Sequence, residues 1–364
     1  MIQVFYITRS RLSFSRAYAR NIIKTAEYVS LEDDIEVTVF SSAPENKSSA
    51  QILDEKGVSH RFILDVSRQR RLMLDTLIQK RHAYDIIYFR DPFLWYNALI
   101  MRYVFGKKIV FEAHGSREWR WSTIFWRFAL WSSHGVLYIT KALKSYYGLS
   151  KPGEVVPCSG VELADFLKEP REQDLREELS LPLHKTLLVY AGNLLWDSTH
   201  VMFEVLKQLP RSVLFVLVGA KEEYIPRMKK RALELQVDSR VIFVPRVEMR
   251  EVPKYLQAGN ILVNTVTVTY PSSISSKLYE YLAAGKPIVS SPGGANREIL
   301  SHNENSIVVD PPTANNYAEA IKRILNDNDL AAYLSSNAKK DSIRYTWQNR
   351  ARVIAGFIRS ICKS

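Results

Sequence analysis

Short apolar runs separated by helical patterns recur along the whole chain. The first series reads "QVFYIT", "IEVTVFS", "RFILDV", "YDIIYFRD", "KKIVFEAHG", "HGVLYIT" and "GEVVPCSG". The second reads "KTLLVYAGN", "SVLFVLVGA", "RVIFVPRV", "GNILVNTV", "KPIVSSPGG" and "ENSIVVDPP". Runs this short, rich in Val, Ile and aromatics, are strands. They are apolar on both faces, so the pattern predicts parallel sheets covered by helices on each side.

Two such series predict an α/β protein of two doubly wound, Rossmann-like domains. The join is expected in the charged segment from Gly160 to Asp174, which places the domains at 1–165 and 166–345. In open α/β sheets ligands sit beyond the carboxyl ends of the strands. The residues that follow the runs are therefore candidates: Arg9 to Ser15, Arg90 and Asp91, His114 and Gly115, Gly192 and Asn193, Gly219, Arg246, and Pro292 to Gly294. Two domains facing each other would line one central cleft with them, an arrangement suited to joining two substrates.

Length and composition agree with this outline. At 364 residues, 46% hydrophobic and 24% charged, the chain has an ordinary folded composition and is long enough for two cores. No apolar run reaches bilayer-spanning length. The opening "MIQVFYITRSRLSFSRAYAR" reads as a strand and a basic helix rather than a signal peptide. Cys158 and Cys362 lie far apart without metal spacing and fit a reducing cytoplasm. The formal charge of +12 favours anionic partners. No zinc-finger spacing or RNA-recognition consensus accompanies it, so nucleic acid is not expected. Asp327 and Asp329 in "NDNDL" read as a helix-ending polar turn, not as a metal pair.

The segment "TYPSSISSKLYEYLAAGKP" carries the most chemistry. Ser275 or Ser276 is placed to cap a helix, Gly285 ends it and Pro287 blocks its continuation. Leu278, Tyr281 and Leu282 form its buried face. Unpaired N–H groups and the helix dipole favour phosphate at the N-terminus, and Lys277 adds a charge in the same turn. Glu280, one turn further in, suits hydroxyl groups. Phosphate at the tip and hydroxyls at the glutamate describe the ribose-diphosphate of a nucleotide.

In this stretch the chain resembles the retaining GT-B glycosyltransferases, chiefly glycosyltransferase family 4. "KLYEYLAAGKPIVSS" is similar to that family's signature, and "PGGANREIL" to its Gly-Gly loop, here Gly293 and Gly294. "KKIVFEAHG" places His114 at the family's histidine, "EVVPCSGVELADF" resembles its linker turn, and "LLVYAGN" the start of its C-domain. "YTWQNRARVIAGFIRSI" looks like the final helix, 346–364, which crosses back to the N-domain. The order of these pieces spans nearly the whole chain. There are also departures. Ser272 stands where the family often has a first glutamate. Asn193 and Ser198 stand where it usually places the arginine and lysine that bind the diphosphate.

The resemblance implies transfer of a sugar from a nucleotide-sugar donor (UDP- or GDP-linked), with retained configuration and without metal or cofactor. The donor would meet Gly192, Asn193, Arg246, Ser272, Ser275, Ser276, Lys277, Leu278, Gly293 and Gly294. Glu280 would hold the ribose, and His114 would contact the sugar or the incoming hydroxyl. Arg11, Arg16, Arg90 and Asp91 would lie on the acceptor side. The acceptor would be a glycan or polyprenyl-linked molecule in cell-surface polysaccharide synthesis, handled in the cytoplasm at the inner face of the plasma membrane. Within "SREWRWSTIFWRFALW", Trp121, Ile124, Phe125, Phe128 and Trp131 share a helical face edged by Arg120 and Arg127, which equally suits an anionic membrane surface or burial. The missing phosphate cations give a second reading, a catalytically silent GT-B scaffold. A nucleotide-sugar epimerase is a third.

Overall fold

The computed structural model describes residues 1–13, 17–58, 62–115, 122–167, 171–192, 200–220, 222–265 and 274–363. The chain divides into two compact units, Met1–Gly160 with Trp347–Ser364, and Val161–Thr346. The division falls at Gly160/Val161 rather than after residue 165. Val161 already belongs to the second unit, because its N–H donates to the Tyr345 carbonyl at 2.9 Å.

The first unit holds strands β1 (Ile2–Thr8), β2 (Ile35–Pro44), β3 (Ile63–Ser67), β4 (Ile86–Phe89), β5 (Lys108–Ala113), β6 (Gly135–Tyr138) and β7 (Gly153–Val155). They pair in parallel in the order β3-β2-β1-β4-β5-β6-β7. The second unit holds β8 (Thr186–Ala191), β9 (Val213–Ala220), β10 (Val241–Pro245), β11 (Ile261–Asn264), β12 (Ile288–Ser290) and β13 (Ile307–Val308), in the order β10-β9-β8-β11-β12-β13. Each apolar run quoted above contributes one of these strands. Both sheets are doubly wound. The strand order reverses between β1 and β4 in one and between β8 and β11 in the other, and these switch points are where such sheets bind ligands.

The last helix, Trp347–Lys363, packs into the first unit. Its Ile354, Ala355, Phe357, Ile358 and Ile361 join the core formed by β1, β2 and the helix Ala17–Val29. The fit is close: a Cβ on Gly135 would come within 2.6 Å of the Phe357 ring, and one on Gly160 within 2.7 Å of the Trp347 backbone. These glycines are the space the helix needs.

The aromatic helix Ser122–Ser132 divides between the two settings its sequence equally suited, burial and an exposed surface. Phe125 packs on Phe93 at 4.8 Å between ring centroids, and Phe128 on Trp95 at 4.5 Å. Ile124 and Trp131 point outward, 47% and 55% exposed. The turn Pro92–Leu94 and the helix Trp95–Tyr103 that follows it supply the partners for the inward side, which a helical wheel of one segment cannot show. Trp121 and Arg120 lie outside the described residues.

Candidate functional site

The helix Lys277–Ala284 follows β11 in the chain, on one side of the β8/β11 switch point. Gly285 ends it with a left-handed φ of 61°, as its sequence implies. Its start differs from expectation. Ser276 is the cap residue, but it has helical backbone angles and its side chain makes no capping bond. The preceding Ser275 N–H instead donates to Asn296 Oδ1 at 3.0 Å. Asn296 comes from the turn after Gly293 and Gly294, so the Gly-Gly loop and the helix start are tied together. Gly294 adopts φ 61°, where a side chain would be strained.

Lys277 reaches across the switch point. Its Nζ lies 2.6 Å from Tyr190 Oη and 3.9 Å from the centre of that ring. A Cβ on Gly192 would sit 2.7 Å from the same Nζ. The ammonium therefore rests on the carboxyl end of β8. Gly219 brings the end of β9 against the Gly192 carbonyl, with φ 91° and room for no more than a 3.1 Å approach. Tyr281 bolts the helix down: its hydroxyl accepts from the Ala191 N–H at 2.9 Å and donates to the Val263 carbonyl at 3.2 Å.

Beneath this surface lie buried polar atoms that lack partners among the described residues: Asn264 Oδ1, Thr265 Oγ1 and Asn296 Nδ2. Asn264, Thr265 and Asn296 are at most 1% exposed. An unpaired buried polar atom costs about 1–3 kcal/mol. Glu280 is half-buried in the first turn. Leu278 is fully buried, and its N–H is spent on the Ser275 carbonyl, so it belongs to the core rather than to a ligand face. Arg246 is exposed beyond β10, the edge strand, with β9 between it and β8. Asn193, Ser198 and Ser272 lie outside the described residues.

The first unit has its own cluster at the ends of β1, β4 and β5. Side chains alternate along a strand. Tyr6, Tyr88 with Arg90, and Glu112 with His114 therefore fall on one face, the face covered by the final helix. Glu112 is fully buried and takes donors from three directions: the Tyr88 hydroxyl, His114 Nε2, and Arg350 Nη2 at 2.9 and 2.7 Å to its two oxygens. Burial alone would raise its carboxyl pKa. Arg350 and His114 outweigh that and hold it below the usual range. Arg350 also bonds Thr25 Oγ1 and the Pro157 carbonyl.

His114 Nδ1 faces Arg90 Nη2 at 2.9 Å. Opposite a carboxylate Nε2 must carry the hydrogen, and opposite a guanidinium Nδ1 must accept. Both ring nitrogens are thus engaged. Burial first, and the nearby Arg90 second, push the imidazole pKa down to about 4, so it is neutral at pH 7. A role as general base would require Arg90 to leave first. Asp91 caps the turn at Pro92 by accepting from the Phe93 N–H at 3.0 Å, and it pairs with Arg9 at 2.7 Å. Arg11 is exposed after β1, and Arg16 lies outside the described residues.

The sequence reading missed Glu112, Arg350, Glu45 and Asn296. Glu45, 3% exposed, pins the loop after β1 by accepting from the Leu12 N–H. A lone glutamate inside an apolar strand run, "IVFEA", was the one available signal for Glu112, because a charge there demands a partner.

Residues 171–341 match the family model described as Glycosyl transferases group 1. The chain is 27% identical over 207 residues to the D-inositol 3-phosphate glycosyltransferase of Xylanimonas cellulosilytica, covering 54% of this chain and 48% of that protein. It thus spans about half the length of the curated relatives it matches. In fold it is similar to the HepE protein of Anabaena solved with UDP, with a TM-score of 0.81 at 18% identity over 99% of this chain and 100% of HepE. A glycosyltransferase from Rickettsia africae gives 0.81 at 16% identity over 100% and 99%. The α/β fold of two parallel sheets is therefore the GT-B fold of these structures.

Proposed function

From the match of residues 171–341 to the glycosyl transferases group 1, we propose that the chain is a member of that family and moves a sugar from a nucleotide-sugar donor to a hydroxyl acceptor with retained configuration. The observation that carries this reading is the placement of Lys277 Nζ on the Gly192 turn. The family resemblance expects cations on the β8 loop at positions 193 and 198, where this chain has Asn193 and Ser198. Lys277 brings a cation to the end of the same strand from the opposite side. With the helix dipole it would meet the charge that builds on the departing diphosphate. The unpaired Asn296 Nδ2 adds a donor beside the helix start.

Glu280, one turn along, would accept from the ribose hydroxyls. The bond from the anomeric carbon to the leaving diphosphate breaks as the acceptor oxygen bonds to that carbon on the same face. The acceptor proton passes to the leaving phosphate oxygen. This chemistry asks no metal of the protein. HepE has been solved with UDP-glucose, which makes a UDP-sugar the first donor to test here.

The acceptor, in this reading, is a glycan or lipid-linked molecule of the cell surface. Outward Ile124 and Trp131, with the Tyr103 ring tilted against Trp131 at 6.0 Å, support contact with an anionic bilayer from the cytoplasmic side. Among the described residues no helix is long and apolar enough to cross a membrane.

The test is a thermal-shift titration with UDP, GDP and UDP-glucose on the wild type, Glu280→Ala and Lys277→Met. A ligand at a hundredfold its Kd stabilises the folded state by about 2.7 kcal/mol. One nucleotide should raise the melting temperature of the wild type. Lys277→Met should weaken that nucleotide by roughly ten- to a hundredfold, the value of a charge-assisted contact. No response of the folded wild type to any nucleotide would replace this reading with the scaffold.

A further inference from the structure

Among the described residues the cluster at the ends of β1, β4 and β5 is not electrically balanced. Glu112 is matched by Arg350, which grips both its oxygens. Arg9 is matched by Asp91. His114 is neutral. That leaves the Arg90 guanidinium with a neutral imidazole as its hydrogen-bond partner and a second guanidinium, Arg350, close enough to repel it. Burial and that repulsion both work against its charge. Its Nη1 is buried without a partner among the described residues. Tyr6, 1% exposed, lies against Arg90 and favours its charge, and its hydroxyl has no partner among the described residues.

A buried cation without a counter-ion costs several kcal/mol. Folds keep such a charge where an anion arrives. The position agrees: Arg90 directly follows β4, beside β1, at the switch point of the first sheet. The His114 side chain against it is 18% exposed, and Arg90 as a residue is half-buried although its Nη1 is buried. Arg68 and Arg70, exposed after β3, add positive field on the same sheet edge.

We propose that the first unit contains an oxyanion site built on Arg90, and that the acceptor presents a phosphoryl or carboxylate oxygen to it. The anion enters beside His114, takes the free Nη1, and neutralises the excess charge. The identification of this ligand as the acceptor rests on the glycosyltransferase reading above; the anion site itself does not.

The experiment follows the His114 ring resonances of the full chain by NMR during titration with inorganic phosphate, and separately with acetate, at constant ionic strength. The wild type should show a saturable shift. Lys277→Met should show the same shift, since that charge serves the other unit. Arg90→Gln should bind at least tenfold more weakly, and Arg90→Lys should recover part of the affinity. Saturation by phosphate alone identifies a phosphoryl acceptor group, and saturation by acetate as well a carboxylate. A wild type that shows no saturable shift overturns the proposal whether or not Arg90→Gln folds. Equal affinity in Arg90→Gln overturns it too. The two readings fail separately: nucleotide binding with no phosphate response at His114 refutes only the anion site, and the converse refutes only the donor reading.

Discussion

Arg350→Met removes the one charge that balances Glu112 while keeping most of the side-chain stem. Arg350 is 1% exposed and Glu112 0%. Breaking a buried pair by deleting one partner costs about 3–5 kcal/mol, because the other charge is left in a dry interior. The structure orders the two possible deletions. After Arg350→Met, Glu112 still accepts from Tyr88 and His114. The loss should lie near the lower end, about 3 kcal/mol. After Glu112→Leu, Arg350 keeps, among the described residues, the neutral acceptors Thr25 and Pro157, and lies near Arg90. That loss should approach about 5 kcal/mol. The double variant replaces both charges with apolar groups and should cost clearly less than the sum. For a unit of this size each kcal/mol moves the midpoint by about 2–4 °C, so Arg350→Met should melt about 6–12 °C lower. Far-UV circular dichroism melts of the four proteins measure this. A loss below about 1 kcal/mol in Arg350→Met, or strict additivity in the double variant, would refute the reading of Glu112 and Arg350 as a coupled, buried ion pair.

Two further outcomes are expected. His114 is held down to about 4 by burial and Arg90, and His134 to about 4 by burial with Arg102, Lys108 and Lys151. Free histidine titrates near 6.5, so between about pH 6.5 and 4 the unfolded chain binds more protons than the folded one. Stability should be complete above that window and fall on acidification through it, and a melting temperature unchanged from pH 7.5 to 5 would contradict this. At the outer face of the aromatic helix, Ile124→Ser with Trp131→Ser should weaken co-sedimentation with anionic vesicles without lowering the melting temperature much, because both side chains are already exposed. Undiminished vesicle binding would remove this helix from any membrane contact.

The strands, the doubly wound class and the stop at Gly285 were legible because they depend on local pattern. Period-two and fully apolar runs mark strands, and a glycine after a helical stretch marks its end. The helix near Glu280 was likewise found from its own residues. The serine cap was not as expected, because Asn296, 21 residues later in the chain, takes the Ser275 N–H instead. The aromatic helix was half legible, since its inward and outward sides depend on a neighbour the wheel does not contain.

What the sequence by itself determined is where each element starts and stops and which residues follow each strand, since backbone geometry and burial period act over a few residues. What only the tertiary structure decided is which of those residues meet. Glu112 and Arg350 are 238 positions apart, and Lys277 and Tyr190 are 87 apart. Strand order and register bring them within bonding distance, and no local pattern encodes a partner that far away. The same holds for the imbalance at Arg90. Its charge is ordinary in the sequence, and only packing beside His114, Tyr6 and Arg350 leaves its Nη1 without a partner among the described residues.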